Sequence, residues 1–304
     1  MRLAPRIRSP ESRGILTSQS SASYLVPVED LWSSVDDAKV HYLRSGSGPN
    51  LVLVHGLLGY SFSWRFIIPD LAQNSTVYAP DMPGSGFSEH PRHIKYYLRG
   101  NAERLLRFLD AVGVDRCDLL GTSYGGAVAM AAAACASDRI RSLILAAPVN
   151  PWSAGGSYKA ALLAGWPVAA SLKLLGPYVR FFDRFILARL YGDREKIRPG
   201  TLEGYSAPFR VRGALEGPLQ ILRSWNSDLK ELQSILPQIA AIPTLLIWGD
   251  KDAAVDPASI KPLQTQLINC QTTILKGVGH LAYEEVPEEF AGIVSSFLSD
   301  LPSR

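Results

Sequence analysis

Three residues far apart in the chain, a serine, an aspartate and a histidine, have the types and settings to do chemistry together. Ser123 stands in Asp118-Leu119-Leu120-Gly121-Thr122-Ser123-Tyr124-Gly125-Gly126. That stretch reads as a short apolar strand, a turn of the form G-x-S-x-G, and the start of a helix rich in small residues. A serine in such a turn sits at a strained strand-to-helix corner, its hydroxyl pushed out of the sheet above a helix N-terminus. Asp252 ends Trp248-Gly249-Asp250-Lys251-Asp252, and His280 ends Gly277-Val278-Gly279-His280. A serine hydroxyl is a weak nucleophile until a neighbouring base takes its proton. An imidazole can take that proton and return it near neutrality. A carboxylate behind the ring fixes its tautomer and stabilises the imidazolium that forms. Acyl transfer to water needs this set.

Such residues must be carried to one place by the elements around them. Val35-Asp36-Asp37-Ala38-Lys39-Val40 reads as a hairpin between two early strands. Six short apolar runs follow, at 51–54, 76–79, 118–120, 143–146, 244–248 and 272–275. Continuous apolar runs fit strands covered on both faces, as in a parallel sheet. Helical patterns fall between them at 66–73, 97–112, 125–136, 257–267 and 288–298. The alternation predicts an α/β fold. Ser123, Asp252, His280 and the loop His55-Gly56-Leu57-Leu58-Gly59 all follow strand ends. In open parallel sheets ligands bind beyond the carboxyl ends of the strands, so all four face one rim.

The interval 151–238 breaks the rhythm. It holds no clear strand, many aromatic residues (Trp152, Trp166, Phe181, Phe182, Phe185, Tyr191, Tyr205, Phe209, Trp225) and repeated Pro and Gly. It reads as a helical insertion, 151–238, in a core formed by 26–150 and 239–304. Residues 1–25, rich in Arg and Ser, read as a poorly ordered arm; the composition also resembles a transit peptide, but Pro5 and Pro10 interrupt any amphipathic helix there. The chain has 304 residues, 47% hydrophobic and 19% charged, with net charge +3 and three cysteines. Those values describe a soluble globular protein. They exclude nucleic-acid binding as a leading reading, and no run is long and apolar enough to insert stably in a membrane. Cys117, Cys135 and Cys270 lack metal-type spacing and read as small, buried, unreactive residues in a reducing, cytoplasmic setting. With no metal cluster, phosphate loop or dinucleotide fingerprint, no cofactor is expected.

The chain resembles the α/β-hydrolase superfamily over roughly residues 26–300. The resemblance rests on HGLLG at 55–59, Asp81-Met82-Pro83-Gly84-Ser85-Gly86-Phe87-Ser88, GTSYGG at 121–126, WGDKD at 248–252, and Gly279-His280 followed by Glu284-Glu285-Val286-Pro287. The chain order Ser, Asp, His is also that of the superfamily. The resemblance implies an eight-stranded, mostly parallel sheet with helices on both faces, and it makes 151–238 a helical cap. It places the acid at Asp252. Asp250 then supports the turn and Asp256 caps the following helix. Some relatives supply the acid after the strand before the cap, but Ala147-Pro148-Val149-Asn150 has no carboxylate. The backbone N–H groups of Leu57 and Tyr124 become the expected oxyanion donors. His55 reads as structural, His90 and His93 as solvated, His41 as lying in an early strand away from the rim, and Asp81 as a loop-stabilising residue.

Haloalkane dehalogenases and epoxide hydrolases of the superfamily carry an aspartate at the turn where this chain has Ser123. The expected reaction is therefore hydrolysis of a small apolar carboxylic ester. Two alternatives stand beside it. One is hydrolysis of a carbon–carbon bond in a diketone-like product of aromatic ring cleavage. The other is a ligand-binding protein that keeps the triad but hardly turns over.

Overall fold

The computed structural model describes residues 26–153, 187–211 and 213–302. The expected N-terminal arm, Trp166, and the Phe181, Phe182 and Phe185 cluster lie outside the described residues. Among those described, eight strands form one sheet. They are β1 (Val28–Val35), β2 (Ala38–Ser45), β3 (Asn50–Val54), β4 (Thr76–Pro80), β5 (Cys117–Thr122), β6 (Ile140–Ala146), β7 (Thr244–Gly249) and β8 (Cys270–Leu275). Their order is β1-β2-β4-β3-β5-β6-β7-β8. The β1–β2 and β2–β4 pairs are antiparallel and all the others parallel. The sheet is thus mostly parallel, as the sequence predicts. The β1–β2 hairpin turns through Asp36 and Asp37, at φ 50° and 63°. Two central residues with positive φ give the twist that matches a two-residue hairpin, and aspartate tolerates that backbone.

Side chains alternate across each strand, and here the alternation separates two cores. Val52 and Val54 of β3, Leu143 and Leu145 of β6, and Leu246 and Trp248 of β7 enter one. Their neighbours Leu51, Leu53, Ile144, Ala146, Leu245 and Ile247 enter the other. Both faces being covered explains why the strands read as unbroken apolar runs. On the first face lie α2 (Leu98–Ala111) and α3 (Tyr124–Cys135), following the short α1 (Ile68–Leu71) on the second. Beyond β6, the described part of the insertion is helical, with α4 (Thr201–Ser206) and the long α5 (Glu216–Ile239). The C-terminal half of α5 buries Leu232, Leu236 and Ile239 in the first core, packing against α3. Three more helices complete the described set: α6 (Ile260–Gln264), α7 (Ala282–Glu285) and α8 (Pro287–Asp300). None of the described helices is long and apolar enough to cross a membrane.

Two expectations are corrected. Cys117 is buried, and burial pushes its thiol up to about 12. Cys135, however, is exposed and Cys270 half-buried. Cys135 is the last residue of α3, and Cys270 opens the edge strand β8, which has a strand neighbour on one side only. His90 is not solvated through its ring: both ring nitrogens are buried beside Pro208, Phe209 and Pro218 of the insertion. His93 is exposed.

Candidate active site

Ser123 joins β5 to α3 with φ 52° and ψ −124°. Positive φ is uncommon for a residue with a Cβ, so the surroundings must hold it. The Ser123 N–H donates to Ala146 O at 3.0 Å, and the Ser123 carbonyl accepts from Val149 N at 2.9 Å and Gly126 N at 3.0 Å. These bonds tie the corner to the end of β6. Close backbone approach accounts for the glycines: a Cβ on Gly125 would collide with the Val54 and His55 carbonyls, and one on Gly126 would lie 2.7 Å from Pro148 Cβ.

The His55–Gly59 loop packs directly against this corner. A Cβ on Gly56 would sit 3.1 Å from Ser123 Cβ. Leu58 holds φ 63°, and Gly59 N donates to Gly56 O at 3.0 Å. His55 fastens the loop. Its Nε2 accepts from Met82 N at 3.1 Å, so the proton is assigned to Nδ1, which donates to Gly56 O at 2.9 Å. Burial lowers its pKa, only partly offset by the Gly56 carbonyl and Asp81. His55 is therefore a neutral, fully engaged strut.

Beneath it, Asp81 is completely buried. Its Oδ1 accepts from Ser61 N at 2.7 Å, and its Oδ2 from Phe87 N and His41 Nδ1, both at 2.9 Å. Burial alone would raise its pKa, but the His41 and backbone bonds outweigh this and hold it below the usual carboxyl range. His41 also meets Asp30 at 3.0 Å. Desolvation would strip its proton, yet Asp81 and Asp30 together raise its pKa. The expectation that His41 lies away from the rim is corrected: β2 runs antiparallel to β4, which sets His41 beside Asp81 just past the carboxyl end of β4, a pairing across forty residues of chain that the sequence does not reveal.

Asp252 and His280 come together. Asp252 Oδ2 lies 2.7 Å from His280 Nδ1, and both residues are buried. Asp252 Oδ1 accepts from Ala254 N at 2.7 Å and Val255 N at 2.9 Å. The carboxylate is thereby aimed, and Nδ1–H facing it leaves His280 Nε2 as the acceptor. Asp250 closes the neighbouring turn through Gly277 N at 2.7 Å, and Asp256 caps Pro257–Ser259 through Ala258 N at 2.8 Å. Neither serves His280. Asn150 stands where an alternative acid would, and its amide nitrogen donates to Pro148 O and Ser259 Oγ, both at 3.0 Å. Ser123 stands half-buried at the same rim, and among the described residues no hydrogen bond joins its hydroxyl to His280. In unliganded sites such bonds are often long and close only with substrate.

Other groups near the rim follow from structure alone. Arg65 grips Glu284 with two hydrogen bonds of 2.9 and 2.8 Å. Tyr191 and Tyr205 also donate to Glu284, and Thr201 accepts from Arg65. A cavity beside the His55–Gly59 loop is lined by Leu57, Met82, Tyr96, Tyr124, Val128 and Ile221, with no Arg, Lys, Asp or Glu among its described walls. Among the described residues no group of three or more His, Cys, Asp or Glu side chains is placed to hold a metal ion.

The arrangement of strands, corner and loops places the chain in a family. The model of the alpha/beta hydrolase fold matches residues 49–287. The chain belongs to the α/β-hydrolase family. This hydrolase is 29% identical over 288 residues to haloalkane dehalogenase 2 of Mycobacterium tuberculosis, covering 89% of this chain and 95% of that one. It is 30% identical over 269 residues to the 2-hydroxymuconate semialdehyde hydrolase of Pseudomonas sp., covering 84% and 89%. Among solved structures, a bacterial membrane phospholipase A superposes with TM-score 0.75 at 26% identity, covering 90% of this chain and 86% of that one. An epoxide hydrolase superposes at 0.80 with 22% identity, covering 91% and 100%; at that identity the likeness is one of fold.

On the first face of the sheet, Tyr124 of the G-x-S-x-G turn reaches Asp228 of α5 at 3.3 Å, with Ser224 Oγ on the same carboxylate at 2.8 Å. Burial pushes Asp228 up to about 6, against the opposing pull of its hydrogen bonds from Ser224, Leu98 N and Tyr124. A carboxyl raised in the folded state favours folding fully below its unfolded value of about 4, and that contribution is lost as pH climbs through the folded value. Asp228→Asn should therefore raise the thermal midpoint at pH 7.5 and leave it nearly unchanged at pH 4. Melting curves at the two pH values check this, and an equal effect at both would refute it.

Proposed function

We propose that this hydrolase cleaves carboxylic esters through an acyl-enzyme on Ser123. The observation that carries the reading is the 2.7 Å bond between Asp252 Oδ2 and His280 Nδ1 at the rim that also presents Ser123. His280 Nε2 takes the Ser123 proton as Oγ attacks the ester carbonyl, and the Leu57 and Tyr124 N–H groups receive the negative oxygen. The imidazolium then protonates the departing alkoxide, leaving Ser123 acylated. Water, deprotonated by the same nitrogen, attacks the acyl carbonyl. Ser123 regains its proton and the carboxylic acid leaves.

The likeness to a phospholipase A supports ester cleavage. A dehalogenase displacement fits less well. A carboxylate nucleophile forms an ester that water can open at its carbonyl, whereas serine would form a stable ether. Carbon–carbon hydrolysis is the second reading, favoured by the names of relatives such as the 2-hydroxymuconate semialdehyde hydrolase. Its substrates carry a carboxylate that an inward cation would hold. Of the candidates, Arg65 or a cap arginine, Arg65 is bound to Glu284, and the cavity by the His55–Gly59 loop, which neither Ser123 nor His280 lines, has no charged wall among its described residues.

A p-nitrophenyl ester series and one ring-cleavage diketone decide between the two. kcat/KM should climb over the first acyl carbons, by up to about 0.8 kcal/mol per buried CH₂, and then fall once the chain outgrows the pocket. A diketone rate well above every ester would overturn the ester reading. Binding without multiple turnovers would favour the ligand-binding alternative.

A further inference from the structure

The loop that carries His280 is held from outside the sheet. Leu190, in the insertion between β6 and β7, accepts at its carbonyl from the His280 N–H at 2.7 Å and the Leu281 N–H at 3.3 Å. The next turn of the insertion is fastened by Glu285. Gly192 N donates to Glu285 Oε2 and Asp193 N to Oε1, each at 2.9 Å. Gly279 N, next to the histidine, donates to the same Oε2 at 2.9 Å. Glu285 is only 5% exposed. Three converging N–H groups suit a carboxylate, which only accepts and makes the stronger charge-assisted bonds.

Close backbone contact reinforces the join. A Cβ on Gly192 would collide with Gly277 O and approach Gly279 N to 2.8 Å; a Cβ on Gly279 would collide with Gly192 N and Leu190 O. Gly249, at the end of β7, closes the other side, where a Cβ would meet Val278 O and Gly279 O. The His280 loop is thus pressed between β7 and the 190–193 segment.

We infer that Glu285 is a positioning residue for His280, locking the Gly192–Asp193 turn of the insertion to Gly279 so that the imidazole ring meets both Asp252 and Ser123. The inference rests on the reading of His280 as the base. Glu284, its neighbour, has a separate task with Arg65. In Glu285→Gln a side-chain NH₂ must face backbone donors, and the loop shifts. A small displacement of a catalytic group is costly, because proximity and alignment supply much of the rate.

The test uses the full chain and a p-nitrophenyl ester. Glu285→Gln should lower kcat by about tenfold to a hundredfold, with KM within about twofold of the unmutated value. The downfield imidazole N–H proton resonance of the Asp252–His280 bond should move, and Glu285→Asp should recover part of kcat. A folded Glu285→Gln with unchanged kcat and an unmoved resonance overturns the inference. Should that variant not fold, Gly192→Ala is read the same way from the insertion side. Amide exchange in the unmutated protein gives a third reading. Gly192, Asp193 and Gly279 should be protected together, and rapid exchange of Gly192 and Asp193 beside a protected Gly279 overturns the lock. His280→Ala separates the two levels: if it keeps its turnover, the reading of the base fails, whatever Glu285 does.

Discussion

Ser123→Ala lowers turnover of an activated ester by about four orders of magnitude or more, since loss of a triad nucleophile in comparable sites removes nearly all the catalysis. The fold should tolerate the change. Ser123 is fixed at φ 52° by main-chain bonds to Ala146, Val149 and Gly126, and none of these needs the hydroxyl. The proposed oxyanion donors, Leu57 and Tyr124, would act through backbone groups as well, so substrate binding should persist. KM should move little while kcat collapses, and a fluorophosphonate should no longer label the protein. Steady-state kinetics beside a thermal melt make the measurement. A stably folded variant that keeps more than about one hundredth of the turnover would remove Ser123 from its assigned role.

The second large effect belongs to Asp252→Asn. With the aspartate, Nδ1–H faces the carboxylate at 2.7 Å and Nε2 is left to accept. An asparagine that keeps the bonds from Ala254 N and Val255 N through its oxygen turns its NH₂ toward the ring. The imidazole then accepts at Nδ1 and carries its proton on Nε2, where it cannot take the serine's. The expected loss in kcat is about 10⁴. Asp256→Asn provides the control, because Asp256 only caps Pro257–Ser259 and asparagine caps as well as aspartate. Comparable losses at the two positions would show that Asp252 is not the orienting acid.

Much of the fold was legible because its signals are local. Strands with both faces covered had to be apolar throughout, and β3, β5, β6 and β7 appear within a few residues of their apolar runs. The edge strand was harder: β8 begins at Cys270, before the apolar reading starts, and leaves Ile274 exposed. Two helices are shorter than their patterns. The 66–73 pattern contracts to Ile68–Leu71, with Pro69 in its first turn, and the 257–267 pattern splits into a 3₁₀ turn at Pro257–Ser259 and a short helix through Pro262. At the site, residues announced by a turn motif could be placed from sequence. Those defined by partners distant in the chain could not. Nothing near His41 points to Asp81, nothing near Tyr124 points to Asp228, and the Glu284-Glu285 pair gives no sign that one residue meets an arginine and the other three amides.

The contacts between Leu190–Asp193 and the His280 loop have a consequence for how this enzyme can change. On the insertion's side they are made by main-chain atoms: one carbonyl and two amides. Gly192 is constrained by close backbone approach and the buried Tyr191 by its hydrogen bond to Glu284, while Leu190 packs against the second core and the Asp193 side chain caps the next turn. Substitution of Leu190 or Asp193 should keep the seam, because the bonds they make to the His280 loop and to Glu285 run through backbone groups. Sequence change can therefore accumulate at those two positions with the seam preserved, and libraries that vary the segment should hold Tyr191, Gly192 and Glu285 fixed.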